Sequence, residues 1–290
     1  MRKDRLIHTF SIVACDTKTG EIGVAVASKF LAVGSVVPWA QANVGAVATQ
    51  SWANTGFGPD GLRLLAEGKT AQETLDLLLA GDEGRDWRQV GVVDRHGNAA
   101  AFTGKLCHDY AFHQIGEGFT CQGNLLSGPE VLDAMAISFQ YAKGDLADRL
   151  LAALIAGDEA GGDKRGRQGA ALYVVKERGA YDGHIDRYVD LRVDDHESPT
   201  YELKRLLNLH RLYMGETDPA KLRPIEGEVL SELVDHLKRF GLLPGEERPT
   251  SYEERVKNAL QDYCAVENFD TRWREDNLID EEILLYMRTK

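Results

Sequence analysis

Hydrophobic periodicity along the first 213 residues arrives in blocks, and the order of those blocks limits the folds open to the chain. Phe10 to Ala14 alternates with the period of a strand, and Ile22 to Ala27 answers it after the turn-forming segment Asp16-Thr17-Lys18-Thr19-Gly20. Val44 to Thr49 is a third apolar run, with a bulge expected at Gly45. Two helices follow. Pro59 suits a first helical turn ahead of Leu62, Leu64 and Leu65, and Thr70 with Glu73 spells a capping box before Leu75 and Leu78. A second hairpin is expected from Gln89 to Thr103 around Asp94-Arg95-His96-Gly97. Helical patterns then begin near Ser127 and continue through Leu154. Gly169 to Val175 and Tyr188 to Val193 read as late strands, and Leu203 to Leu209 as a closing helix. Strands, two helices, strands, two helices and strands predict an α+β fold with antiparallel hairpins, layered helix, sheet, sheet, helix.

Composition changes near Gly215. Residues 215–224 are polar, carry Pro219 and Pro224, and read as a linker. Beyond them, 225–290 shows three helical patterns: Val229 to Leu237, a second helix capped by Thr250 and Glu253, and a third opened by Asp280. This is expected to be a small all-α module.

The chain of 290 residues has a net charge of −12 and no dense Lys/Arg block, so nucleic acid and anionic membranes are poor partners. Its four cysteines include no Cys-x-x-Cys pair, which argues against zinc ribbons and thioredoxin-like redox sites. Scattered cysteines, a leader (1–8) that is charged rather than apolar, and no long apolar run together predict a cytoplasmic protein without a membrane span.

Thr9 is the foremost chemical candidate, because a hydroxyl heads the first strand. A free α-amine, with a pKa of roughly 7.7–8, can serve as the base for a threonine hydroxyl on the same residue. Eight residues precede Thr9, and Arg2 after Met1 opposes simple removal of the methionine, so the amine becomes free by a cut between His8 and Thr9 or if the natural start lies downstream. As a β-branched residue, Thr9 also suits a strand with no chemistry at all.

Other candidates surround it. Ser28 and Lys29 end the second strand beside Thr9 if the hairpin is in register. Lys29 there would lower the pKa of an amine or hold a substrate carboxylate. Asn124, in Gln122-Gly123-Asn124 ahead of a helix start, offers an oxyanion donor. Ser51 and Asn54 offer hydrogen bonds from a loop. Asp163, Arg165, Arg167 and Gln168 lie in a glycine-flanked loop suited to an anion. Asp194-Asp195-His196 is poorly shaped for a metal, because neighbouring residues on a strand point apart. Cys121 has no basic cluster to activate its thiol. No metal or cofactor is expected.

Several longer stretches resemble one family. Thr9-Phe10-Ser11-Ile12-Val13-Ala14, Gly23 to Ser28, Ala32 to Pro38, Gln50-Ser51-Trp52-Ala53-Asn54, Arg88 to Asp94, Gln122-Gly123-Asn124, Gly161 to Gln168 and Asp190 to His196 are similar to the domain of unknown function 1028. That resemblance implies the αββα sandwich of the N-terminal-nucleophile hydrolases over 9–214, and hydrolysis of a linear amide. The expected substrate is a small anionic amide or ureido metabolite, with Thr9, Lys29 and Asn124 at the chemistry. A non-catalytic binder of a metabolite or cell-wall fragment on the same fold is the alternative. The tail, through Val266-Glu267-Asn268-Phe269-Asp270-x-Arg272, Ile279-Asp280 and Ile283-Leu284, resembles a peptidoglycan-binding module. A small-residue-rich sheet and the apolar loop Phe30-Leu31-Ala32-Val33 make a homo-oligomer an expectation.

Overall fold

The computed structural model describes residues 9–290, so the leader 1–8 lies outside the described residues. They divide into two compact units, one running to Leu207 and the other from Asn208 to Lys290.

In the first unit, β1 (Thr9–Asp16) and β2 (Glu21–Ser28) form the expected hairpin, with Thr9 opposite Ser28. β3 (Pro38–Gln41) and β4 (Gly45–Ser51) start a second sheet, and α1 (Phe57–Ala66) and α2 (Ala71–Ala80) follow. The Thr70–Glu73 capping box is formed in both directions. β5 (Arg88–Asp94) and β6 (Ala99–Thr103) complete this sheet in the order β3-β4-β5-β6. The bulge expected at Gly45 is absent, since β4 pairs with β3 and β5 in unbroken register. Glycine is needed there for space: a Cβ would lie 2.4 Å from the Val93 carbonyl oxygen.

The chain then returns to the first sheet. β7 (Phe112–Gly116) and β8 (Phe119–Gly123) were invisible to periodicity. They are followed by α3 (Glu130–Tyr141), α4 (Leu146–Glu159), β9 (Gly169–Val175) and β10 (Arg187–Val193). The six-stranded order is β10-β9-β2-β1-β8-β7, all antiparallel. α5 (Pro199–Met214) crosses into the second unit.

The strand period of two sends side chains to two different layers. Phe10, Ile12 and Ala14 of β1, with Phe119 and Cys121 of β8, pack under Met135, Phe139, Leu150 and Leu154 of α3 and α4. Val13 and Cys15, with Val24 and Val26 of β2, instead meet Ala46, Ala48 and Val93 of the four-stranded sheet. On the other face of that sheet, Val47, Val90 and Val92 pack on Phe57, Leu65, Leu75 and Leu78 of α1 and α2. The central strands β1, β2, β4, β5 and β8 are therefore buried on two faces, which explains runs such as Val24 to Ala27 with no polar member.

In the second unit, β11 (Leu222–Pro224) lies inside the stretch expected as a linker. It pairs with β12 (Leu278–Asp280), between α6 (Gly227–Arg239), α7 (Glu254–Val266) and α8 (Glu281–Thr289). Asp280 caps α8 as expected, accepting from the Glu282 N–H. The cap expected from Thr250 and Glu253 does not form. Glu253 is itself the N-cap of α7 and makes no side-chain capping bond. No described helix is long and apolar enough to cross a membrane.

Candidate functional site

The strand ends gather one set of polar residues. Thr9 opens β1, Ser28 closes β2, Ser51 closes β4, Arg88 opens β5, Thr103 closes β6 and Asn124 follows β8. Register places these ends on the same side of the two sheets: Thr9 faces Ser28, Phe10 faces Gly123, Ser51 faces Arg88 and Gln89 faces Thr103.

Thr9 is fully buried. Its carbonyl accepts from the Asn124 backbone N–H at 3.0 Å and from Gln50 Nε2 at 3.3 Å, so both sheets hold it. Asn124 is also fully buried, and its Nδ2 donates to Gln89 Oε1 at 2.8 Å. One of the two amide protons expected to serve an oxyanion is thus committed to Gln89.

Lys29 sits one residue past Ser28 but turns outward. Its backbone N–H donates to Asp163 Oδ2 at 2.9 Å, its ammonium donates to the Arg167 carbonyl at 3.1 Å, and the side chain is exposed. Asp163 is buried, and also accepts from the backbone and guanidinium of Arg165. Arg167 pairs with Asp158 at 2.7 Å, and Asp158 in turn accepts from the Thr200 hydroxyl. Both arginines are therefore charge-matched by a buried acid beside them, which lowers their attraction for an outside anion. Gln168 donates to Asp195 Oδ1 and accepts, through its carbonyl, from the His196 N–H. The Asp194–His196 segment is a brace for this loop. Among the described residues, no group of three His, Cys, Asp or Glu is placed to hold a metal ion.

Ser51 adopts a left-handed φ of 66°, and its buried hydroxyl makes no well-formed hydrogen bond, although the Cys107 thiol lies beside it. Burial pushes the Cys107 thiol up, and the Ser51 hydroxyl opposes that shift. Asn54 staples its own loop, donating to Asp82 and accepting from the Gly56 N–H. Asp82 is in turn clamped by Arg88, whose guanidinium also donates to the Trp52 carbonyl. Burial is the largest influence on the Asp82 carboxyl, but the Arg88, Gly84 and Asn54 donors outweigh it and bring the pKa down. Cys121 is fully buried, and burial alone drives its thiol far above the ordinary range.

Sequence reasoning missed the centre of this arrangement, a layer of buried amides between the sheets. Ser11 donates to Gln50 Oε1 at 2.7 Å, and Gln122 Nε2 donates to Ser11 Oγ at 2.7 Å. Gln50 Nε2 donates to Gln89 Oε1 at 2.9 Å. Thr120 donates to Gln122 Oε1 at 3.1 Å. Gly91 makes the room, since a Cβ there would stand 2.3 Å from Gln122 Oε1. All four of Ser11, Gln50, Gln89 and Gln122 are fully buried. The available signal was a glutamine at an inward strand position in three separate segments, Gln50-Ser51, Arg88-Gln89 and Gln122-Gly123.

These same segments carry a family match. The model of a family of unknown function, DUF1028, matches residues 9–203, beginning at Thr9 itself. The chain belongs to the DUF1028 family. A crystal structure of a Silicibacter pomeroyi protein from this family is 34% identical, with a TM-score of 0.64, over 70% of this chain and 89% of that one. A model described as "Putative peptidoglycan binding domain" matches residues 213–287. No curated protein matches the chain.

The cavity of about 400 Å³ in the first unit is remote from Thr9. It lies at the other end of the strands, among Asp16, Lys18, His96, Glu117 and Arg149. β1 alone separates the two ends by roughly 23 Å at the rise of an extended strand.

Proposed function

We propose that this DUF1028 protein is an amide hydrolase of the N-terminal-nucleophile type, with Thr9 as a latent nucleophile released by a cut between His8 and Thr9. One observation carries the reading: Thr9 opens a central, doubly buried strand, with its carbonyl gripped from both sheets by Asn124 and Gln50. Such a grip fixes the backbone on which a reacting hydroxyl must be aimed. Two facing sheets with helices α3 and α4 on one outer face and α1 and α2 on the other support the αββα sandwich of that class. Fold likeness alone does not establish the activity.

In the proposed reaction, the freed Thr9 amine takes the proton from Thr9 Oγ as Oγ attacks the carbon of a linear amide or ureido group. The tetrahedral intermediate then breaks its C–N bond, the ammonium returns the proton to the leaving nitrogen, and water hydrolyses the acyl-Thr9 ester to free the acid and restore the hydroxyl. Asn124 and nearby backbone N–H groups stabilise the oxyanion. Lys29, exposed and bonded to the Arg167 carbonyl, is better suited to bracing the loop than to tuning the amine. An anionic substrate would engage Arg165 or Arg167 by competing with Asp163 or Asp158, so a weakly charged amide fits the loop better than a strongly anionic one.

A second reading is favoured by the eight residues that precede Thr9. If they stay attached, the fold binds a small metabolite or cell-wall fragment without turnover, and the C-terminal module serves as an interaction element. Intact mass and N-terminal sequencing of the native protein, with hydrolysis assays on acylated amino acids and ureido acids, separate the two. A chain starting at Thr9, inactivated by Thr9→Ala and unaffected by Cys121→Ala, supports the hydrolase. Turnover by a chain that retains His8 excludes Thr9 as nucleophile.

A further inference from the structure

Hydrogen-bond polarity in the buried amide layer is forced from one point. Gln89 sits with one end of its side chain against the main-chain carbonyls of Phe112 at 3.0 Å and Gly123 at 2.7 Å. Carbonyl oxygens only accept, so the atom facing them is the NH₂ group. The other end is then the carbonyl Oε1, which can only accept. Gln50 and Asn124, both in contact with it, must each present nitrogen. Gln50, oriented in this way, turns its other proton toward the Thr9 and Gln122 carbonyls and its Oε1 toward the Ser11 hydroxyl.

The same logic runs in the opposite direction. Thr103 Oγ1 lies 2.9 Å from Gln89 Nε2, where it can only accept, and 2.9 Å from His113 Nδ1. Two carbonyls on neighbouring strands, β7 and β8, thus decide the direction of an entire chain of bonds that ends at Thr9 and Asn124.

We infer that Gln89 is a positioning residue for the Thr9 site: it fixes which way the Asn124 and Gln50 side-chain amides point, and through Gln50 one of the two donors that hold the Thr9 carbonyl. The functional part rests on the proposed nucleophile reading. The structural part, the orientation of Asn124 and Gln50, stands apart from it.

The test compares the full chain with Gln89→Met and Gln89→Glu variants. NMR hydrogen exchange of the Asn124 and Gln50 side-chain amides reads the orientation directly. In Gln89→Met these protons lose their acceptor and exchange at least about tenfold faster than in wild type. Gln89→Glu adds a pH signature. Its carboxylate repels the Phe112 and Gly123 carbonyls, whereas the protonated acid donates to one of them. Burial raises a carboxyl pKa, so protection returns toward about pH 5 and disappears near pH 8. Core backbone amides that keep their protection over the same pH range separate this reorientation from general destabilisation by a buried charge. Should Gln89→Met fail to fold, the Gln89→Glu profile decides alone. Wild-type protection of Asn124 in Gln89→Met, or a flat profile in Gln89→Glu, overturns the inference.

A second arm treats the chain cut before Thr9 with a β-lactone and follows acylation of Thr9 by intact mass. Gln89→Met is expected to slow it by about 100-fold, the cost of a misplacement near 1 Å. Equal acylation rates in wild type and Gln89→Met overturn the positioning role. No acylation of wild type, together with lost Asn124 protection in the variant, removes the nucleophile and leaves the orientation role of Gln89 intact.

Discussion

Each unit of this protein buries a polar device, and the two are built on opposite chemistry. The first unit uses neutral amides: Gln50 and Asn124 both donate to Gln89, and the Ser11 hydroxyl links Gln122 to Gln50 between two sheets. The second uses a full ion pair, Arg272 with Asp280, at 6% and 0% side-chain exposure. Arg272 also donates to the Leu212 carbonyl at 2.6 Å and the Arg211 carbonyl at 2.8 Å, closing the C-terminal end of α5. The pair fastens α5 to the β11–β12 ribbon. Around it, Phe269 is packed among Tyr213, Tyr263 and Tyr286. The tail motif Glu267-Asn268-Phe269-x-x-Arg272 followed by Asp280 is therefore a folding signature. Glu267 itself accepts from the Tyr286 hydroxyl. A match on these residues reports how the module folds. The amide layer differs because its polarity reaches Thr9 at a strand end, where chemistry is possible.

This contrast can be broken at several points. Arg272→Ala has the largest expected effect. It strands Asp280 as a buried, unpaired carboxylate and should destabilise the second unit by about 3–5 kcal/mol. Arg272→Met combined with Asp280→Leu should recover much of that loss, because the pair's mutual attraction is offset by its desolvation. Separate urea transitions for the two units would show both results, and a double variant as unstable as Arg272→Ala would refute the second.

Gln89→Leu should cost the first unit about 2–3 kcal/mol, since it leaves buried Asn124, Gln50 and two carbonyls short of partners. Chemical denaturation measures this. A loss below that of Ile22→Val in the apolar part of the same layer, about 1 kcal/mol, would show the amides to be individually dispensable.

His113 gives a pH-dependent effect. Burial holds its imidazole below the ordinary pKa. Above the ordinary value of about 6.5 both the folded and unfolded states leave it neutral. As pH falls below that value the unfolded chain takes up a proton that the folded chain refuses, so stability drops until the folded pKa is passed. His113→Gln should flatten this part of the melting temperature profile, and an unchanged slope would discount His113. Glu73→Ala is expected to be the smallest change. It removes half of an exposed capping box and should lower the melting temperature only slightly.

Periodicity made β1, β2, β5 and most helices legible, because their outward and inward faces differ in polarity or are both apolar. It failed at β7 and β8. In β8 the inward residues are Thr120 and Gln122, so a fully buried strand carries polar side chains where alternation expects valine. The same cause hid the amide layer: a buried glutamine reads as a surface residue until its partners on other strands are known.

The sequence by itself determined the first hairpin, most of the helices, the Thr70 and Asp280 caps and the family motifs, because these rest on neighbours a few residues apart. Tertiary structure decided which polar residues meet. Gln50, Gln89, Gln122 and Asn124 are brought together across 75 residues by sheet packing, and Arg165 and Arg167 are matched to Asp163 and Asp158 by a loop that folds back on α4. Hydrogen-bond polarity belongs to this second class. An amide has two ends of nearly equal shape, and only the carbonyls placed against it by distant strands choose between them.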